Sequence, residues 1–102
     1  MEWKCKAFKA INTVELYEIL KLRAAVFVVE QDCPYVDLDD LDQRSHHVWT
    51  ETPQGEVIAY SRMLPPGLHV KEASIGRVVT LPSRRGENLG KQVFQQALDH
   101  AL

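Results

Sequence analysis

No apolar run in this sequence is long enough to cross a bilayer. The longest, Ala24 to Val29, falls far short of the roughly 20 residues a spanning helix needs. No charged-then-apolar leader opens the chain either, because Trp3, Lys4, Cys5 and Lys6 alternate from the start. Cysteine is scarce, with only Cys5 and Cys33. Without a leader, the expectation is a reducing cytoplasm and two free thiols rather than one disulfide. Neither sign of charge prevails: a formal net charge of -2 supplies no global basic field to recruit nucleic acid. Internal repeats, low-complexity tracts and Gly/Ser linkers are also missing, so residues 1–102 are expected to form a single domain.

What is present is an ordinary globular composition, 45% hydrophobic, which is too apolar for a disordered chain. Trp3, Cys5 and Ala7 alternate with charged residues and predict a half-buried strand. Asn12-Thr13-Val14-Glu15 predicts a helix start, with Asn12 as cap and Glu15 reaching back to it. Leu16, Ile19, Leu20, Ala24 and Phe27 continue at helical spacing, and the helix is expected to end near Glu30 or Gln31, before Pro34. Residues 35–45 predict a loop carrying Asp37, Asp39, Asp40 and Asp42. Strands over 46–51 and 56–64 flank Thr52-Pro53-Gln54-Gly55 and predict a hairpin, with Pro65-Pro66-Gly67 as the stop. Ala73 to Leu81 is so apolar after Gly76 that a central strand buried on both faces is expected. A final helix carries Leu89, Val93, Phe94, Ala97, Leu98 and Ala101 on one stripe.

One segment carries chemistry. Arg85-Gly86-Glu87-Asn88-Leu89-Gly90 lies between an apolar strand and an amphipathic helix. A helix start offers free backbone N–H groups and partial positive charge, which suits a phosphate or pyrophosphate. Gly86 and Gly90 allow close backbone approach, and Asn88 tolerates left-handed dihedrals. Arg84, Arg85 and Lys91 add charge-assisted hydrogen bonds. The P-loop spacing is not met, since only three residues separate Gly86 from Gly90 and Gln92 follows Lys91. The dinucleotide fingerprint G-x-G-x-x-G is absent too.

At these residues the chain resembles the GNAT acetyltransferases. Their Q/R-x-x-G-x-G/A loop joins the family's fourth strand to its third helix. Here Arg85 takes the first position and Gly90 the last, with Asn88 in place of the middle Gly. A longer stretch, Leu22 to Tyr35 followed by Asp37, Asp39, Asp42, Ser45 and His46, is similar to the ElaA-like branch, as is Ile75-Gly76-Arg77-Val78-Val79. The resemblance implies an α/β fold with a mainly antiparallel sheet and helices on both faces. It also implies that the chain covers the N-terminal two thirds of that fold, with the closing strands missing.

The same resemblance implies an acyl-coenzyme A-dependent N-acyltransferase, with acetyl-coenzyme A as cosubstrate and an amine as acceptor. Val78, Val79, Thr80, Arg85, Gly86, Glu87, Asn88, Leu89, Gly90 and Lys91 would hold the coenzyme. Strand amides at Val78 to Thr80 would bind pantetheine and the thioester carbonyl. In many members a tyrosine beyond the third helix protonates the leaving thiolate, and this sequence ends before that point. The alternative is a non-catalytic acyl-coenzyme A-binding or assembly module.

Glu30, at a helix end after an apolar run, is the candidate to orient the amine or relay its proton, with a helix-end surface role as the competing reading. Arg23, Phe27, Glu30 and Asp39 stand as candidates for the acceptor side, a small molecule or a peptide. Adjacent His46 and His47 point to opposite faces of a strand, so they are read as ordinary strand histidines and not as a metal pair. The aspartates of 37–42 lack the spacing of a calcium loop and are expected to form a solvated acidic loop that attracts a cationic acceptor. Cys33 could be a nucleophile, but no positioned base accompanies it, so a buried or partly exposed thiol is expected. The resemblance implies a sheet cut after its third helix, which would expose the far edge of the 75–81 strand beside an apolar last helix; the expectation is a two-fold dimer, or a chain poorly folded until a partner covers that surface.

Overall fold

The computed structural model describes residues 2–30, 37–65 and 74–101, without the side chain of Ala101. Cys33, the helix end proposed at Gln31, the motif residues 32 to 35, the stop at Pro66 and Gly67, and Ala73 lie outside the described residues, as does the contribution of Ala101 to the stripe.

Four strands form one antiparallel sheet in chain order: β1 (Trp3–Ala7), β2 (His46–Glu51), β3 (Val57–Leu64) and β4 (Ser74–Thr80). Helix α1 (Thr13–Arg23) follows β1, and α2 (Leu89–Ala101) follows β4 after a 3-10 turn, Pro82–Glu87. The expected order of strand, helix, three strands and helix is therefore met. So is the hairpin, which joins β2 to β3 through a tight turn with Gly55 at φ 91.

The start of α1 has the capping geometry its sequence announces. Asn12 Oδ1 accepts from the Glu15 amide at 2.7 Å, and Glu15 Oε1 accepts from the Asn12 amide at 3.1 Å. The same carboxylate takes Lys4 Nζ at 2.9 Å and Lys6 Nζ at 3.0 Å, which fastens α1 to β1. Burial pushes the Glu15 carboxyl up, but these lysines and the Asn12 amide outweigh it and bring it down to about 2. After Arg23 the helix does not simply continue: Ala24–Glu30 widens into a π-helical segment. The three valines there crowd a normal helical turn through their branched Cβ atoms, and such segments occur often at functional sites.

Each face of the sheet carries a helix. Ile19, Leu22 and Val26 pack with Trp49, Val57, Tyr60 and Val79 on one side. Leu89, Val93 and Ala97 of α2 pack with Val48, Ile58 and Ala59 on the other. Burying each such side chain stabilises the fold by about 1.5–3 kcal/mol before chain entropy is counted. Phe94 and Leu98, placed on the same stripe by sequence, are instead 42% and 36% exposed, at the margin of the covered area.

One expectation is overturned. β4 is not a doubly buried strand: among the described residues it lies at the edge of the sheet, and within it only Val79 is buried. The strand covered on both faces is β3, all eight of whose residues are buried. A continuous apolar run marks two-sided burial in parallel sheets. Here the sheet is antiparallel, and the apolar residues of β4 line a groove instead.

β4 is also bulged. Tyr60 faces Val79 and Arg62 faces Gly76, so Arg77 and Val78 together oppose the single residue Ser61. Arg77 sits at φ 51, in the left-handed region that a non-glycine residue enters only at a cost. Below the bulge, the Leu81 amide donates to the Ile58 carbonyl at 2.9 Å. Antiparallel alternation then turns the Thr80 amide away from β3, toward the open side of the strand.

Candidate functional site

Between β4 and the start of α2 lies a groove of about 470 Å³, lined by Val26, Val78, Val79, Thr80, Arg85, Asn88, Leu89, Gly90 and Lys91. That volume is in the range of small-ligand sites. Three elements build it. The bulge of β4 turns Val78 outward, where it is 38% exposed. The π-helical segment supplies Val26 as a wall, and the 3-10 turn delivers the chain to α2.

The conformation of the loop differs from expectation in one respect. Pro82 at the first position sets a 3-10 turn that runs through Arg85, Gly86 and Glu87, so these residues precede the helix and do not open it. Gly86 has no positive φ, and a Cβ built on it would meet nothing within 4 Å, so its freedom is not used by the fold. Neither Gly86 nor Glu87 lines the groove. The left-handed residue is Asn88, at φ 61 and ψ 27, where the turn passes into α2. At Gly90 a Cβ would come to an ordinary 3.5 Å from Thr80 Oγ1, so the helix start lies close against β4.

The amides of Leu89, Gly90 and Lys91 lead the helix and have no intrahelical acceptor; the first such bond runs from Gln92 to Asn88 at 3.3 Å. Leu89, Gly90 and Lys91 all line the groove, together with Arg85. Arg84 does not line it and pairs instead with Glu87 at 3.3 Å. One end of the groove therefore combines helix-start amides with two cations, a setting for phosphate oxygens. The other end, toward Val26, Val78 and Val79, is apolar.

Glu30 is placed at the cationic end. Its carboxylate receives Arg85 through two bonds, Nη2 to Oε1 at 2.6 Å and Nη1 to Oε2 at 2.9 Å. The Arg85 guanidinium holds the Glu30 carboxyl below the usual carboxylate range. A general base working near neutral pH needs the opposite displacement. Glu30 is thus the partner of the guanidinium that lines the groove.

The acceptor-side candidates are dispersed. Phe27 is partly buried and packs on the α1-side core. Arg23, at 0% exposure, spends its guanidinium inside the protein: Nε and Nη2 donate to Asp37 Oδ2 and the Asp37 carbonyl at 2.9 Å, and Nη1 donates to Asp42 Oδ1 at 2.9 Å. Asp39 takes Arg62 through two bonds of 2.8 and 2.9 Å, which hold its carboxyl at about 2.

The solvated acidic loop is thereby corrected. Asp37, Asp39 and Asp42 are paired with Arg23, Arg62 and Arg77, and of the four loop aspartates only Asp40 is exposed. Buried arginines in α1 and β3 require carboxylates, and the loop supplies them. With three acids facing three bases, little field remains to attract a cationic acceptor.

The histidines face opposite ways, as strand alternation requires: His46 is exposed and His47 buried. His47 Nε2 donates to the Asp42 carbonyl at 2.9 Å, and Nδ1 accepts from the Tyr60 hydroxyl at 2.7 Å. Burial lowers the His47 pKa and keeps the ring neutral. Cys5 is half-buried, and burial raises its thiol pKa. Among the described residues no cluster of His, Cys, Asp and Glu could hold a metal ion, and no helix is long and apolar enough to cross a membrane.

Sequence reasoning missed Val26 as a groove wall and Arg62 and Arg77 as partners of the loop. Signals existed for the arginines: each is a charge inside an apolar strand, Ser61-Arg62-Met63-Leu64 and Ile75-Gly76-Arg77-Val78-Val79.

Comparison with known proteins converges on one family. Residues 13–102 match the family model described as the acetyltransferase (GNAT) family. Protein ElaA of Escherichia coli (strain K12) is 37% identical over 103 residues, covering 97% of this chain and 65% of ElaA. A UPF0039 protein of Synechocystis is 35% identical over 102 residues, covering 100% of this chain and 66% of the relative. The chain thus spans just under two thirds of the length of the curated relatives it matches. Among solved structures, an acyl-CoA N-acyltransferase from Pseudomonas aeruginosa superposes with a TM-score of 0.90 at 42% identity, covering 98% of this chain and 69% of that one. The crystal structure of Escherichia coli ElaA gives 0.89 at 35% identity, covering 98% and 68%.

Proposed function

The chain belongs to the GNAT acetyltransferase family, and we propose that it binds acyl-coenzyme A, most simply acetyl-coenzyme A, in the β4–α2 groove for transfer of the acyl group to a primary amine. The observation that carries this reading is the composition of the groove. Every lining residue except Val26 belongs to β4, to the turn that follows it or to the start of α2, the strand, turn and helix start that a phosphate-and-thioester site calls for. The pyrophosphate would lie on the amides of Leu89 to Lys91 with Arg85 and Lys91, and the pantetheine would run along the open side of β4 past Val78 and Thr80. The name of the Pseudomonas aeruginosa structure, an acyl-CoA N-acyltransferase, supports the same class of reaction.

In the transfer itself the amine nitrogen attacks the thioester carbonyl carbon. The carbon–sulfur bond breaks, the coenzyme leaves as a thiol, and the amine gives up one proton. A donor at the carbonyl oxygen, such as the outward Thr80 amide, would stabilise the negative charge that develops there. Coenzyme binding would displace Glu30 from Arg85.

The test is an acetyl-transfer assay over a panel of primary amines, reading thiol release, paired with calorimetric titration of coenzyme A. The reading expects one binding site and amine-dependent thiol release. Binding without release would favour a non-catalytic acyl-coenzyme A-binding module, and no binding would reject both. Self-association as a two-fold dimer is part of the proposal, supported by the exposure of Phe94 and Leu98 and by a β4 edge unpaired among the described residues. A sedimentation profile of a monomer at micromolar concentration would remove it.

A further inference from the structure

The bulge that opens β4 is held from outside the groove. Arg77 is the left-handed residue of the bulge, and its side chain reaches back across the sheet end to the 37–42 loop. Its Nε donates to Asp37 Oδ1 at 2.9 Å, and its Nη2 donates to the Asp37 carbonyl at 3.1 Å and, more weakly, to Asp39 Oδ2 at 3.3 Å. Asp37 is in turn fixed from the other side. Its second carboxylate oxygen and the same carbonyl accept from the fully buried Arg23 of α1, both at 2.9 Å. Arg23 is anchored further by Asp42 at 2.9 Å, and Asp42 also takes Arg62 of β3 at 3.0 Å. One residue, Asp37, therefore joins the core end of α1 to the strained residue of the edge strand.

That connection has a consequence for the groove. A non-glycine residue at φ 51 persists only where its surroundings over-determine it. An edge strand with a bulge is otherwise free to slip toward regular pairing. Slippage by one residue would turn Val78 and Thr80 to the opposite faces and change which amides of the strand point to its open side. Neither Asp37 nor Arg77 lines the groove.

We propose that Asp37, acting through Arg77, is a positioning residue that locks the β4 bulge and thereby fixes the Val78–Thr80 segment along the groove. The lock itself is a statement about the ligand-free chain; its use in binding acyl-coenzyme A rests on the function proposed above.

The experiment uses the full 102-residue chain with Asp37→Asn and Arg77→Gly. Arg77→Gly is the informative variant, because glycine adopts φ 51 freely and the fold should be kept while the clamp is lost. Backbone amide exchange by NMR, without ligand, is expected to speed up at Val78 and Val79 by roughly tenfold or more in both variants, with Val48 and Ala59 unchanged. Coenzyme A is expected to bind about five- to tenfold more weakly, because the segment is no longer preorganised. Unchanged exchange at Val78 and Val79 in Arg77→Gly overturns the clamp, whatever coenzyme A does. If Arg77→Gly loses melting temperature while exchange rises equally throughout the sheet, the ion pair only holds the fold together, and the proposal fails. Local loosening in a protein whose parent form never bound coenzyme A would support the clamp and refute the coenzyme reading separately.

Discussion

Replacing Glu30 with Gln should tighten the binding of coenzyme A. The Glu30 carboxylate holds Arg85 by two hydrogen bonds of 2.6 and 2.9 Å, so a phosphate that needs this guanidinium must first displace it. The geometry is bidentate, but the Glu30 and Arg85 side chains are 38% and 47% exposed. Water and salt compete for both, so the pair sits in the weak class of surface ion pairs. Converted to affinity, the gain for Glu30→Gln is about two- to fivefold. Loss of the guanidinium itself, in Arg85→Ala, should weaken binding by roughly tenfold to a hundredfold, because a charge-assisted bond to the ligand disappears. The two changes form a cycle. In the Arg85→Ala background most of the gain from Glu30→Gln should vanish, leaving only a screened repulsion between carboxylate and phosphate. Calorimetric titration of the four proteins at about 0.15 M ionic strength measures all the terms. Weaker binding in Glu30→Gln, or an equal gain with and without Arg85, would refute competition between Glu30 and the ligand.

Asn88 holds φ 61, so Asn88→Gly should be tolerated while Asn88→Val should destabilise by about 1–3 kcal/mol; equal melting temperatures for the two variants would contradict the loop geometry. Acid should unfold the chain in a defined window. The Glu15 and Asp39 carboxyls lie at about 2 in the folded chain, below their unfolded values near 4, so the unfolded state binds more protons. The stability they contribute is present above about pH 4 and is lost as pH falls toward 2. His47, also lowered, adds an earlier loss that begins below its unfolded value of about 6.5. Denaturant midpoints that stay flat from pH 7 to 3 would contradict these pairings. Ser61 is buried with a hydroxyl that finds no partner among the described residues, so Ser61→Ala should be neutral or stabilising, by up to about 1 kcal/mol. A loss beyond that size would mean that the hydroxyl is satisfied.

The sequence was most readable where one residue type has one physical use. Asn12 with Glu15 announced the start of α1, and Thr52-Pro53-Gln54-Gly55 announced the hairpin, because caps and turns are local. Asn88 could be placed in the left-handed region for the same reason. Most of the groove followed, since strand, loop and helix start are contiguous along residues 78–91. Legibility failed where pairing across the sheet decides the outcome. The apolar run of β4 looked buried on both faces because a run of apolar residues does not say whether they fill the core or line a groove. Three of the loop aspartates looked solvated because Arg23, Arg62 and Arg77 lie distant in sequence and meet them only in the fold. Val26 falls outside the helical spacing of Leu16, Ile19, Leu20, Ala24 and Phe27; it lies in the π-helical segment and lines the groove.

The central claim is that the β4–α2 groove holds the coenzyme. Titration of coenzyme A into the isotope-labelled 102-residue chain, followed by amide chemical shifts, tests it most directly. The account predicts that Val26, Val78 to Thr80 and Asn88 to Lys91 move together with a single dissociation constant, while Phe8, Leu16 and Gln43, on a different surface, stay still. Saturable binding that moves residues elsewhere and leaves Leu89 to Lys91 unshifted would contradict it.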